Sequence, residues 1–146
     1  MKVLITGVAG FIGFSFAENL LKKNKKIFIH GIDNLDDYYS VKLKKKRIKQ
    51  LRNNKNFEFI QIDLSNEKKM NKLKIYNVDI VFHLAAQAGV RYTVKNPRKY
   101  VSTNIFGFIN FLKYLDKNRA KIIFYASSSS VYGDNKNYPV NEKMSP

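Results

Sequence analysis

The chain contains no cysteine and no tryptophan among its 146 residues. The absence of cysteine excludes disulfide bonds, thiolate metal sites and a cysteine nucleophile, and it fits a reducing compartment. No run approaches the roughly 18 consecutive apolar residues that a membrane-spanning helix needs. Met1-Lys2 leads directly into an apolar run without the pattern of a signal peptide. We therefore expect a soluble, cytoplasmic protein with no membrane contact.

Acidic residues are scarce, with 11 Asp and Glu against 27 Lys and Arg, for a formal net charge of +16. Such an excess of positive charge is common in proteins that bind nucleic acids. The densest basic run, Lys42–Lys49, is mostly lysine, whereas bidentate recognition of bases favours arginine. The composition therefore favours a solvated helix face over a polyanion contact, which stays as an alternative.

Short apolar runs alternate with helical patterns along most of the chain. The runs are continuous, which is typical of strands buried on both faces of a parallel sheet. Strands are predicted at 2–6, 26–32, 57–62, 79–84 and 121–126, and helices at 11–23, 40–53, 66–74 and 97–116. The pattern predicts an α/β fold with a doubly wound (Rossmann) parallel sheet, incomplete at about five strands, with helices on both faces. This domain spans residues 1–133, and a polar loop follows at 134–146.

The first strand leads into a glycine-rich loop that precedes a helix. Gly7 permits a tight turn, Gly10 lets the backbone approach a diphosphate, and Gly13 lets the helix pack closely on the sheet. The helix N-terminus would then bind the anion. Asp33 ends the second strand twenty residues after Gly13, where a carboxylate binds ribose hydroxyls and repels the extra phosphate of NADP. The sequence therefore predicts a dinucleotide site that favours NAD.

The later strands also end in residues suited to a nucleotide site. Asp63-Leu64 follows the third strand, small side chains at 84–89 follow the fourth, and four serines at 127–130 follow the fifth. His30 and His83 lie in strands without acids at metal-ligand spacing, so we interpret both as structural and propose no metal site.

Five segments in this order carry a specific resemblance: GVAGFIG (7–13), GIDNLDDYY (31–39), HLAAQAGVRY (83–92), STNIFG (102–107) and YASSSSVYG (125–133). Together they resemble the extended short-chain dehydrogenase/reductase family over the whole chain. Within it they are most similar to the nucleotide-sugar 4-epimerases that act on UDP-glucuronate. The resemblance implies that NAD stays bound and takes a hydride from C4 of the sugar while a tyrosine removes the hydroxyl proton. The hydride then returns to the other face of the 4-keto sugar.

The resemblance also assigns roles to residues of this sequence. It implies a catalytic hydrogen bond from Ser128 to the sugar hydroxyl, and pyrophosphate contacts from Gly7, Gly10, Phe11, Ile12 and Gly13. It places Asp33 and Asn34 at the adenosine ribose, and Asp63 and Leu64 at the adenine. It places Leu84, Ala85, Ala86, Asn104 and Ser127 on the nicotinamide side, and Ser129, Ser130 and Arg91 at the substrate. For Arg91, a solvated loop arginine is the alternative.

Two further features define the expected function. The related 4,6-dehydratases carry an Asp-Glu pair directly after the active-site hydroxyl, because elimination of water needs an added acid and base. Here Ser129-Ser130 occupy that place, which favours an epimerase.

The Tyr-x-x-x-Lys pair of the family should follow Ser128 by about 25 residues, beyond Pro146. Tyr38 and Lys42 have the spacing but lie on the adenosine side.

We therefore expect the N-terminal NAD-binding part of a sugar-nucleotide epimerase, inactive alone. Its parent enzyme is expected to be a homodimeric isomerase that acts on UDP-glucuronate or UDP-galacturonate. Two alternatives are kept: a non-catalytic NAD-binding or regulatory module, and a basic nucleic-acid-binding protein.

Overall fold

A computed structural model describes residues 1–118, 120–134 and 139–144. All five strands are parallel and form one sheet in the order β3-β2-β1-β4-β5. The strands are β1 (Lys2–Thr6), β2 (Phe28–Asp33), β3 (Phe57–Gln61), β4 (Ile80–His83) and β5 (Ile122–Tyr125). This arrangement confirms the predicted Rossmann-like sheet. Of the loop predicted at 134–146, residues 135–138 and 145–146 lie outside the described residues.

Helices connect the strands on both faces of the sheet. They are α1 (Phe11–Lys23), α2 (Val41–Arg52), α3 (Glu67–Met70), α4 (Val90–Lys95), α5 (Pro97–Tyr100) and α6 (Gly107–Asn118). A π-helical segment at Val101–Phe106 joins α5 to α6, and a 3₁₀ turn covers Ser129–Tyr132. The helix predicted at 66–74 is a single turn, and α4 was not predicted. Among the described residues, no helix is long and apolar enough to cross a membrane.

The central strand β1 explains why the apolar runs are continuous. Val3 and Ile5 belong to a core on one face of the sheet, together with α1 and α2 residues such as Leu21 and Ile48. Leu4 belongs to a second core on the opposite face, which includes residues of α6. Because both faces of β1 are covered, its interior positions select apolar side chains throughout.

The strand order reverses next to β1. The chain moves from β1 outward to β2 and β3, then returns to place β4 on the other side of β1. In open α/β sheets the crevice at the carboxyl end of such a switch point is where ligands bind. A ligand is therefore expected at the loops that follow β1, β2, β3 and β4.

At one edge of the sheet, β5 pairs with β4 and has no second neighbour among the described strands. Its apolar side chains are exposed, Phe124 by 52% and Tyr125 by 68%. The apolar side chains of β5 therefore lie at an exposed edge of the described sheet.

A buried hydroxyl in α6 provides a test of the second core. Tyr114 is 6% exposed and donates a hydrogen bond to the Ile75 carbonyl, and burial raises the pKa of Tyr114 to about 12. We expect Tyr114→Phe to lower the free energy of unfolding by about 1–2 kcal/mol, because the Ile75 carbonyl loses its donor. Urea denaturation measures this, with Tyr76→Phe as the control because Tyr76 is 56% exposed. Equal stability of the two variants would contradict the structure.

Candidate functional site

The glycine loop has the geometry that its spacing predicts. Gly7 has φ +71°, and a Cβ there would lie 2.8 Å from the Ala85 nitrogen. A Cβ at Gly13 would meet the Gly7 carbonyl and lie 2.9 Å from the Val8 Cα. Gly10 differs, since its φ of −66° suits any residue and its Cβ would need only a small shift from the Gly7 oxygen at 3.0 Å. Gly7 and Gly13 therefore serve the fold, whereas Gly10 keeps the groove open.

Helix α1 begins directly after Gly10. The first helical hydrogen bond runs from the Phe14 N–H to the Gly10 carbonyl, and Gly10 has no side chain to cap the preceding N–H groups. Phe11 is 73% exposed and Ile12 is 66% exposed. The first turn of α1 therefore presents backbone N–H groups and the positive end of the helix dipole, which suit an anion.

Asp33 joins the glycine loop to the loop after β2. It is 7% exposed, and its Oδ2 accepts a 3.0 Å hydrogen bond from the Ala9 N–H. Its Oδ1 accepts a 2.8 Å bond from the Leu35 N–H. Each carboxylate oxygen can accept a further hydrogen bond, so Asp33 still has capacity for a ligand hydroxyl.

The loop after β3 is fixed against the loop after β2. Asn34 donates to Asp63 Oδ2 at 3.2 Å, while the Ser65 N–H and hydroxyl both donate to Asp63 Oδ1. Asn110 on α6 donates to the carbonyl of Leu64 at 3.0 Å. These bonds hold an acid and a neighbouring buried leucine at the groove wall.

A buried network supports the loop after β4. The Thr6 Oγ1 accepts hydrogen bonds from the N–H groups of Leu84 at 3.2 Å and Ala85 at 3.1 Å. It also lies 2.8 Å from His83 Nδ1, so the Thr6 hydroxyl proton is available to this nitrogen. The His83 ring stacks on Phe111, and burial lowers the pKa of His83 to about 4. A neutral His83 is thus structural, as interpreted from the sequence.

Asn104 secures the next part of the same loop. Its Oδ1 accepts a 2.7 Å hydrogen bond from the Gln87 N–H, and its Nδ2 donates to the Gln87 carbonyl at 3.1 Å. Asn104 lies in the π-helical segment, a feature frequent at functional sites. In this structure its amide group positions the loop backbone.

One groove at the carboxyl ends of the strands brings together half of the residues that the sequence predicts. These are Gly7, Gly10, Asp33, Asn34, Asp63, Leu64, Leu84, Ala85 and Ala86. Eight other predicted residues do not line this groove: Phe11, Ile12, Gly13, Asn104, Ser127, Ser128, Ser129 and Ser130. Sequence reasoning did not assign seven polar, aromatic or small residues of the groove: Asp36, Tyr38, Tyr39, Lys44, Gln87, Ala88 and Thr103.

The basic run Lys42–Lys49 lies on α2 and is not solvated along its whole length, in contrast to the expectation from composition. Lys44 is only 6% exposed and lines the groove. Arg47 donates to the Ala9 carbonyl at 3.1 Å and to the Tyr39 hydroxyl at 3.3 Å. The reason is helical periodicity, because Lys44, Arg47, Ile48 and Leu51 share the inward face of α2. Lys44 therefore lines the groove, and Arg47 holds the glycine loop at Ala9.

Two loops meet across the mouth of the groove. The Lys99 ammonium lies 2.6 Å from Asp36 Oδ2, and the rings of Tyr38 and Tyr92 lie 5.1 Å apart. Burial is the largest single effect on the pKa of Asp36 and acts to raise it, but the hydrogen bonds from Lys99 and the Tyr38 N–H and the charges of Lys99 and Lys44 together lower this pKa on balance. Tyr100 donates to the Ala88 carbonyl at 2.5 Å. These contacts connect the segment after β2 to α4 and α5.

The serines after β5 are exposed, and Ser128 caps the 3₁₀ turn by accepting a 3.2 Å hydrogen bond from the Ser130 N–H. The Ser128 hydroxyl also donates to the Ser130 hydroxyl at 3.2 Å. Arg91 lies in α4 and not in a loop, because a helix begins directly after Gly89, whose φ is +96°. The Arg91 side chain lies outside the described part of the chain.

The half-buried His83 predicts a pH dependence of stability. Unfolded histidine titrates near pH 6.5, whereas folded His83 has a pKa of about 4. The unfolded chain therefore binds the proton first as the pH falls, and the free energy of unfolding should drop by about 1–3 kcal/mol between pH 6.5 and 4. Urea denaturation at several pH values measures this. The substitution His83→Gln should reduce the change in the free energy of unfolding with pH, whereas His30→Gln should leave most of that change in place. A flat wild-type profile would contradict the assignment.

Comparison with known proteins agrees with this geometry. Residues 4–145 match the family described as GDP-mannose 4,6 dehydratase. The UDP-glucuronate 4-epimerase of Thermodesulfobacterium geofontis is 44% identical over 130 residues, which are 88% of this chain and 40% of that protein. Protein CapI of Staphylococcus aureus is 44% identical over 140 residues, 95% of this chain and 41% of that protein.

Among solved structures, the UDP-glucuronic acid 4-epimerase of Bacillus cereus in complex with UDP-glucuronic acid and NAD superposes with a TM-score of 0.83. It is 35% identical, and the match covers 100% of this chain and 46% of that one. The chain thus spans less than half the length of these relatives. Fold, glycine loop and sequence similarity together show that the chain belongs to the extended short-chain dehydrogenase/reductase family of sugar-nucleotide epimerases and dehydratases.

Proposed function

We propose that the chain binds NAD in the groove and forms the cofactor part of a nucleotide-sugar 4-epimerase that acts on UDP-glucuronate or UDP-galacturonate. The observation that carries this proposal is the cradle formed by Gly7, Gly10 and the start of α1, with buried Asp33 beside it. The nearest side-chain atom to the position of a Cβ at Gly10 is the Tyr39 hydroxyl at 3.8 Å among the described residues, so a diphosphate would approach the backbone there without a side chain at residue 10 in its way.

The proposal assigns the groove and the start of α1 to the adenosine half of NAD. The N–H groups of Phe11, Ile12 and Gly13 would bind the pyrophosphate at the start of α1. Asp33 and Asn34 would bind the ribose hydroxyls, and Asp63 and Leu64 would contact the edge and face of adenine. The buried carboxylate of Asp33 favours NAD over NADP, because a phosphate on the ribose would be repelled. Support also comes from the B. cereus relative, which binds NAD.

The nicotinamide side would lie against the loop after β4. The small side chains of Ala85 and Ala86 would leave space for a flat ring beside Leu84. Asn104 would fix this loop, and Ser127 would also contact the cofactor. Bound NAD supplies the hydride acceptor and donor of the reaction. The exposed Ser128 hydroxyl would hydrogen-bond the sugar O4, with Ser129, Ser130 and Arg91 at the rest of the substrate.

The serines also support epimerisation over dehydration. The family description refers to a 4,6-dehydratase, a reaction that requires an acid and a base after the active-site hydroxyl. Ser129 and Ser130 cannot supply them at neutral pH. The relatives described as UDP-glucuronate 4-epimerases support the same choice. We also propose a cytoplasmic, homodimeric parent enzyme.

Residues 1–146 alone should not turn over a sugar nucleotide. The Tyr-x-x-x-Lys pair of the family is expected beyond Pro146, so no group would take the C4 hydroxyl proton. We expect no conversion of UDP-glucuronate to UDP-galacturonate in the presence of NAD. Anion-exchange chromatography of the two sugar nucleotides measures this conversion. An isolated full-length relative serves as the positive control. Conversion by the purified 146-residue chain would refute the proposed division of the active site.

NAD binding by the chain tests the cofactor assignment. We expect Gly10→Val to reduce NAD affinity by more than about 10-fold, because the side chain would occupy the path of the pyrophosphate. Isothermal titration calorimetry measures the affinity. Ser15→Val, an exposed position on the same helix, is the matched control and should bind as the wild type does. Absence of binding to the wild-type chain, or equal binding by both variants, would overturn the proposal.

A further inference from the structure

The outward side of α2 carries positive charges that no acidic side chain neutralises. Lys42, Lys45, Lys46, Lys49 and Arg52 are exposed, and we call them the α2 cation row. Helix α2 contains no Asp or Glu, and none of the ion pairs between described residues involves a member of this row. By contrast, lysines of α1, α5 and α6 each lie 2.6–3.4 Å from a carboxylate. The row is therefore a surface that can attract a polyanion.

A pocket of about 300 Å³ lies beside the α2 cation row, between α2 and β3. Its lining combines apolar residues, cations and an amide: Leu35, Ile48, Phe59, Lys45, Lys49, Arg52 and Gln61. The Arg52 Cζ lies 5.5 Å from the centre of the Phe59 ring, so an aromatic ring supports an exposed guanidinium. The pocket shares no lining residue with the groove proposed for NAD. It is therefore a separate candidate site.

The spacing of the cations suits a chain of phosphates. Lys45, Lys49 and Arg52 lie on one side of α2, because residues three and four apart are neighbours on a helix surface. The row from Lys42 to Arg52 extends for about 15 Å along the helix axis. Over this length a nucleic acid strand with about 3.4 Å per nucleotide presents about four phosphates. The row can therefore contact several phosphates of one strand.

The pocket favours a nucleic acid over an acidic protein segment. Bases of single strands stack on aromatic rings and on arginine guanidinium planes, and the pair of Arg52 and Phe59 offers both. Acidic side chains would use the charges of the row and leave the apolar wall of the pocket uncovered. A duplex is less suitable because its bases already stack on one another. A single strand is the ligand that would use both the row and the pocket.

We propose that the α2 cation row and the adjoining pocket bind single-stranded nucleic acid, a function separate from the proposed binding of NAD. Lys42, Lys45 and Lys49 would contact phosphates, while a base would stack on the Arg52 guanidinium above Phe59. The net charge of +16 would draw the strand towards the protein. Lysine binds phosphate as a point charge and phosphate contacts carry no sequence information, so we expect little preference for particular bases.

Fluorescence anisotropy with a labelled oligouridylate of about 12 nucleotides measures this binding. At about 50 mM salt, the triple variant Lys45→Gln/Lys49→Gln/Arg52→Gln should bind more than about 10-fold more weakly than the wild type. The slope of log affinity against log salt concentration should become shallower by about 2, because three phosphate contacts are lost. Excess NAD should leave the wild-type affinity unchanged, since the pocket and the groove share no residue.

A matched control removes the same charge from the other face of the sheet. The triple variant Lys68→Gln/Lys72→Gln/Lys74→Gln changes exposed lysines next to Met70 and Ile75 of the second core. Its affinity for the oligouridylate should fall by less than about 3-fold. Equal losses in the two triple variants would overturn the proposal in favour of a general effect of net charge. Absence of binding to the wild-type chain, or displacement of the oligonucleotide by NAD, would also overturn it.

The substitution Arg52→Lys tests base stacking, because it keeps the charge and removes the guanidinium plane. We expect affinity for the oligouridylate to fall by about 3- to 10-fold with an unchanged dependence on salt. The control Arg98→Lys, at an exposed arginine of α5, should change the affinity by less than about 2-fold. Equal effects of the two substitutions would contradict stacking at Arg52. Displacement of the oligonucleotide by polyglutamate at an equal concentration of charges would overturn the proposal in favour of an acidic protein segment.

Discussion

The carboxylate of Asp33 holds the ligand-facing end of this structure together. It accepts one hydrogen bond from Ala9 in the glycine loop and another from Leu35 in the loop after β2. Tyr39 and Arg47 add hydrogen bonds to the Ala9 carbonyl from the same side. Since a buried carboxylate is stable only when its oxygens are hydrogen-bonded, the residue that we propose for ribose binding also requires the two loops to be in register.

The remaining walls of the groove are fixed by similar contacts between a side chain and a loop backbone. Thr6 holds the Leu84 and Ala85 amides, and Asn104 holds both backbone groups of Gln87. A rigid cradle loses little conformational freedom when a ligand binds, which leaves more of the interaction energy as affinity. The groove is thus organised before binding, by residues that need not contact the ligand.

Much of the sheet could be predicted because β1 is covered on both faces, so Val3, Leu4 and Ile5 had to be apolar. The glycine spacing likewise predicted the turn at Gly7 and the close packing at Gly13. The position of Lys44 in the groove could not be predicted from composition, because lysines in a lysine-rich run are usually solvated. Lys44 faces the groove because Ile48 and Leu51 fix which side of α2 packs inward.

The short helix α4 shows another limit of the sequence. Its start depends on the positive φ of Gly89, and its position depends on contacts such as the Tyr38–Tyr92 ring pair. These contacts join segments more than fifty residues apart, so no local pattern reports them. The predicted roles of Arg91 and Ser128–Ser130 involve a substrate, that of Ser127 involves the cofactor, and all of them stay predictions.

The central claim is that the groove at the switch point binds NAD through its adenosine half. Amide chemical-shift mapping by ¹H–¹⁵N NMR during an NAD titration tests it most directly. The account predicts that the largest shifts cluster at residues 7–13, 33–36, 63–64 and 84–88. Shifts confined to the exposed lysines of α2, or no shifts at all, would contradict it.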